Sequence, residues 1–70
     1  MVTVMISDIY PGAKFRQGMS TAIMVIDKIE NGIVFYYYVN ESGEKGPDDT
    51  EPFDSLIYLL NVAGYEKIEE

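Results

Sequence analysis

The two longest β-prone patterns in the chain, TAIMVIDKIE and IVFYYYVN, are separated only by Asn31-Gly32. A two-residue Asn-Gly loop is the preferred type I′ hairpin turn, because both positions take positive φ and the turn's twist matches that of the strands. Counting outward in a regular ladder sets Glu30 opposite Ile33, Lys28 opposite Phe35, Ile26 opposite Tyr37 and Met24 opposite Val39 on one face. The other face pairs Ile29 with Val34, Asp27 with Tyr36, Val25 with Tyr38 and Ile23 with Asn40. Successive strand residues point to opposite sides, so the three consecutive tyrosines at 36 to 38 must divide between the faces. Phe35, Tyr37, Val39, Met24 and Ile26 make the better core face. That choice sends Tyr37 inward and stands Tyr36 and Tyr38 on the outer side, beside Asp27.

Neither face of this hairpin is plainly polar, so each needs cover from the rest of the chain or from a partner. Residues 53–63, FDSLIYLLNVA, place Phe53, Leu56, Ile57, Leu60 and Ala63 at helical spacing. Gly64 follows as a left-handed cap, Thr50 is placed to cap the start, and Pro52 suits the first turn. Tyr58 falls on the opposite side of that helix and is expected in solvent. The stretch VTVMISDI alternates weakly, as a strand would, and ends at the turn signal Tyr10-Pro11-Gly12. Residues 13–16 read as a short strand, Gly18-Met19-Ser20 as a turn, and YEKIE at 65–69 as a last strand with Tyr65, and Ile68 as a further candidate, toward the core.

The resulting order, β-β-β-β-α-β, predicts an α+β fold that is mainly β. Its form would be a small, strongly bent antiparallel sheet or open barrel, with one short helix near the C-terminus plugging one end. Residues 41–52 would form a loop, long for so small a domain and therefore mobile or functional. With no internal repeat and no linker composition, residues 1–70 read as a single domain.

Composition narrows the chemistry. A chain of 70 residues buries only about 60% of its unfolded surface. The 47% hydrophobic content is nevertheless too high for a disordered tail. There are no cysteines and no histidines, so disulfides, thiolate metal sites and the usual nucleophile–base pairs are unavailable. The N-terminus lacks a basic leader and carries Asp8 where a signal peptide would still be apolar, and no stretch approaches the roughly 20 apolar residues of a membrane span. The expectation is a cytoplasmic, non-enzymatic protein without a cofactor or membrane partner.

The net charge of −7 is concentrated between residues 41 and 54, where Glu41, Glu44, Asp48, Asp49, Glu51 and Asp54 stand against Lys45 alone. Direct nucleic-acid binding is disfavoured, because it needs clustered cations and only Lys14 and Arg16 lie close together in sequence. With Asn40 as position one of a calcium loop, Ser42, Glu44, Asp48 and Glu51 fall at oxygen-ligand positions. The match fails at position six, where Lys45 replaces the required glycine, and no metal site is assigned.

In size and strand order the chain is similar in outline to small SH3-like barrels, which mostly serve as binding modules. Six tyrosines also favour contact chemistry, since Tyr combines area, rigidity and a polar tip. The sequence therefore points to a protein-interaction module of the kind suited to phage or mobile-element accessory proteins. Its contact residues would be Tyr36, Tyr38 and Asp27, with Tyr58 and Phe15 as further candidates, and its partner another protein or a second copy of the chain. The alternatives are a cation- or ligand-responsive loop at 40–51, through Asn40, Glu44, Asp48 and Glu51, or an acidic inhibitor that occupies a nucleic-acid-binding site.

Overall fold

The computed structural model describes residues 3–68. A 3-10 turn, Ile6–Asp8, precedes β1 (Lys14–Gln17), β2 (Ile23–Glu30), β3 (Ile33–Val39), β4 (Asp49–Pro52), α1 (Phe53–Val62) and β5 (Tyr65–Ile68). The five strands form one antiparallel sheet in the order β4-β3-β2-β1-β5, curled into a half-barrel. The helix follows one edge strand in sequence and precedes the other, so it spans the open side and touches β3, β4 and β5. The fold class is that expected from the sequence, an α+β chain dominated by strands.

Two of its members differ from expectation. The N-terminal stretch is not a strand: its residues turn once as a 3-10 helix, while Val4 and Ile9 on either side are buried. The side chain of Asn61 on α1 holds this segment by accepting the Val4 N–H at 2.8 Å and donating to the Val4 carbonyl at 3.1 Å. The fourth strand comes instead from within the expected 41–52 loop. Thr50, expected to cap the helix, lies in β4 opposite Phe35, and Pro52 occupies the N-cap without a side-chain bond. Gly64 has φ of 77°, as the left-handed cap requires. Val2 and Glu69, the ends of two expected strands, lie outside the described residues.

The hairpin turn forms as the sequence predicts, with Asn31 at φ 52° and Gly32 at φ 77°. Near the turn the ladder also follows expectation, pairing Glu30 with Ile33, Ile29 with Val34 and Lys28 with Phe35. Then the register shifts between Ile26 and Lys28, so that Ile26 faces Tyr36, Val25 faces Tyr37, Met24 faces Tyr38 and Ile23 faces Val39. Asp27 is the additional residue of a β-bulge.

Polarity explains the bulge. In an unbroken strand Ile26 and Ile29 point to opposite sides, and the face holding Met24 and Ile26 would also carry Lys28 and Glu30. One extra residue at Asp27 brings Met24, Ile26 and Ile29 to the same side and turns Lys28 and Glu30 away from it. On β3 the same side holds Val34, Tyr36 and Tyr38.

The core therefore consists of Phe15, Met24, Ile26, Val34 and Tyr36 from the sheet, Leu56 and Leu60 from α1, and Val4, Ile9 and Ala13 from the N-terminal segment. The outer face of the hairpin is apolar too, with half-buried Phe35 and Tyr37. Long basic side chains cover it: the Lys28 ammonium lies 4.8 Å from the Phe35 ring centre, and that of Lys45 4.4 Å from Tyr37. Aliphatic stems shield the rings while the charges reach water and the π faces. Both sides of the hairpin are thus covered within one chain.

Candidate functional site

The residues singled out from sequence do not share a surface. Tyr36 is only 5% exposed and Phe15 is fully buried, both in the core. Tyr38 is half-buried and packs against that core. The expectation that Tyr36 and Tyr38 stand outside is therefore reversed, and the bulge at Asp27 is the cause. Phe15 faces inward because its partner across the ladder is Met24, itself fully buried. Asp27 is exposed, as a bulged residue can be, but no longer adjoins an outward tyrosine pair. Tyr58 alone stands where the sequence placed it, 70% exposed on α1.

The inward tyrosines link two strands of the half-barrel through their side chains. The Tyr36 and Tyr38 rings meet edge to face with centres 6.1 Å apart, and the Tyr38 and Tyr65 hydroxyls are hydrogen-bonded at 3.0 Å, linking β3 to β5 across the interior. Burial raises the Tyr36 pKa above the usual phenol value, helped by the negative charges of Asp49 and Glu51 and by Tyr65. Burial, followed by the Tyr65 hydrogen bond, raises that of Tyr38 further. Both groups are held neutral in the fold, so their stabilisation is complete below the unfolded pKa, about 10, and is lost as pH rises from there through the folded values. Stability in denaturant titrations should accordingly fall above about pH 10 from this source, and the Tyr38→Phe chain should lose part of that fall.

The acidic loop is ordered by its own groups. The Asn40 side-chain oxygen accepts the N–H groups of Ser42 at 3.0 Å and Glu44 at 2.9 Å, while its nitrogen donates to the Glu44 carboxylate at 3.0 Å. Lys45 bridges back to Val39 and lies 3.7 Å from Asp48. Glu51 sits in β4, opposite Val34. The calcium-loop positions Asn40, Glu44, Asp48 and Glu51 therefore do not converge on one point: Asn40 is an Asx-type hub that holds Glu44, Asp48 pairs with Lys45 and Glu51 lies in the sheet. Among the described residues no three acids gather as a metal site would require.

A different surface combines exposure with apolar chemistry. Asp54, Tyr58 and Val62 follow one another at i, i+4 along one side of α1, away from buried Leu56 and Leu60. Val62 is 67% exposed. Next to this stripe, Ile57 and the 3–7 segment line one shallow apolar concavity. There Met5 and Ile6 are 63% and 70% exposed, respectively. The Asn61 clamp fixes the segment against the helix, and Asp8 accepts the Met5 N–H at 2.9 Å. Met5, Ile6 and Ile57 at the concavity, with Tyr58 and Val62 on the neighbouring side of the helix, make up one apolar ridge. Val62 was legible as an apolar residue outside the core stripe of the helix. Met5 and Ile6 were not, because their exposure depends on the 3-10 turn.

The charges are sorted around this ridge. Neither α1 nor residues 3–10 contain a basic residue, and the flanking acids are Asp8 and Asp54, while Lys67 of β5 reaches the end of this segment with its ammonium 5.1 Å from the Tyr10 ring centre. Four of the five cations instead belong to the outer side of the sheet: Lys14 pairs across from Val25, Arg16 from Glu66 and Lys28 from Phe35, with Lys45 over Tyr37. No helix among the described residues is long and apolar enough to cross a membrane. The chain matches no family model, no curated protein and no solved structure.

Proposed function

We propose that this chain is a non-enzymatic protein-interaction module whose contact surface is the ridge formed by α1 and the N-terminal segment. The observation that carries the reading is the exposure of Met5, Ile6, Tyr58 and Val62, each more than 60% accessible, on two segments that the Asn61 hydrogen bonds hold together. Four large apolar side chains kept in water by a small fold with few core residues mark a contact site more than a packing accident. An aromatic ring at the middle of the stripe fits the pattern of an interface anchor, rigid and with a polar tip.

Composition supports the non-enzymatic half. The chain contains no histidine or cysteine, and none of the carboxylates among the described residues is buried in a way that would tune it for proton transfer. The module reading is tested by placing a photo-crosslinking amino acid at position 58, or at position 37 on the sheet, in cells of its source. The expected result is a discrete protein adduct from position 58 that disappears when Ile6 and Val62 are both changed to Ser. An adduct from position 37 alone, or none from position 58, would count against the ridge.

A further inference from the structure

Resting on that reading, we infer that the ridge receives an amphipathic segment of a different protein, apolar along its centre and flanked by lysine or arginine. Charge complementarity selects this occupant. The flanks of the ridge are Asp8 and Asp54, and the segments that build it carry no cation. The whole chain has a net charge of −7, and the outer side of the sheet holds Lys14, Arg16, Lys28 and Lys45. The acids flanking the ridge, Asp8 and Asp54, outnumber the one cation near its N-terminal segment, Lys67 over Tyr10, which favours encounter with a basic partner over an acidic one.

A second copy fits this surface poorly. A two-fold contact through the ridge would set Asp54 and Asp8 near the same groups of the other copy, and like charges facing each other oppose association. A head-to-tail contact would lay the ridge on the sheet's outer side, where Lys28 and Lys45 already sit over Phe35 and Tyr37. An anionic lipid surface would be repelled by the same carboxylates.

The test uses the full chain with labelled amphipathic helical peptides that share one leucine face and differ only in flanks, lysine against glutamate, followed by fluorescence anisotropy at low and high salt. The lysine peptide should bind about 10-fold tighter than the glutamate peptide or better, with affinity falling as salt rises. Tyr58→Ser combined with Val62→Ser, which leaves the charge unchanged, should weaken it by roughly 30-fold. Asp54→Asn should weaken it about 3-fold and flatten the salt dependence.

Equal binding of the two peptides would overturn the basic-flank inference while leaving the ridge as an interaction surface. Lysine-peptide binding that survives the Tyr58 and Val62 changes would overturn it as well, because the peptide would then be held by charge elsewhere. So would self-association in sedimentation that is lost with Tyr58→Ser, or Tyr58-dependent binding to phosphatidylcholine vesicles. Failure of every peptide, together with the absence of a crosslink from position 58, would remove the module reading itself.

Discussion

Tyr36→Ala should unfold a large fraction of the molecules. The ring is buried in the core, edge-on to Tyr38. Removing a buried aromatic ring costs about 3–5 kcal/mol, through lost transfer energy and the cavity left behind. A folded chain of this length has a total stability of roughly 4–10 kcal/mol at the usual per-residue values. Tyr36→Phe retains the ring and should stay near the parent. Denaturant titration of the three chains measures the difference. The contrast with the regular ladder is large, because a tyrosine on the outer side would tolerate alanine to within about 0.5 kcal/mol.

Tyr58→Ser with Val62→Ser should show the opposite division. Both side chains are mostly in water, so the pair should change stability by no more than about 0.5 kcal/mol per site. Partner binding, in contrast, should lose about 2 kcal/mol or more if Tyr58 is the anchor of the contact. Thermal melts and affinity measurements on the same preparations separate these effects. A variant that melts like the parent and still binds its partner undiminished would remove α1 from the interface. Changing Phe35 or Tyr37 on the outer side of the sheet provides the comparison, since those rings already carry the Lys28 and Lys45 ammonium groups and should matter less to binding.

Local chemistry made part of this fold readable from sequence. Asn31-Gly32 determined a turn because few other pairs accept positive φ twice in succession. Leu56 and Leu60 marked the buried side of α1, and Gly64 marked its end. Tyr58 was correctly placed in solvent because helical spacing alone sends it away from that stripe.

The errors came from features that depend on distant contacts. The 49–52 stretch, DTEP, has little strand propensity, and it becomes β4 because β3 offers an edge whose backbone groups need partners. The weak alternation in VTVMISDI did not survive against the Asn61 hydrogen bonds that dock the segment on the helix. The bulge had a visible cue that a regular ladder ignores. Ile26 and Ile29 are an odd number apart, while β3 keeps an unbroken alternation through Val34, Tyr36 and Tyr38. Reconciling the two requires one extra residue in β2, and Asp27 is the polar position between the isoleucines. That single insertion moved the candidate surface from the hairpin to the helix.

The decisive measurement is the cross-strand NOE pattern of the hairpin in solution. The bulged register predicts contacts linking Ile26 to Tyr36, Val25 to Tyr37 and Met24 to Tyr38, with Asp27 lacking a partner on β3. Contacts linking Asp27 to Tyr36 and Val25 to Tyr38 would contradict it, returning those two tyrosines to the outer side and with them the contact surface.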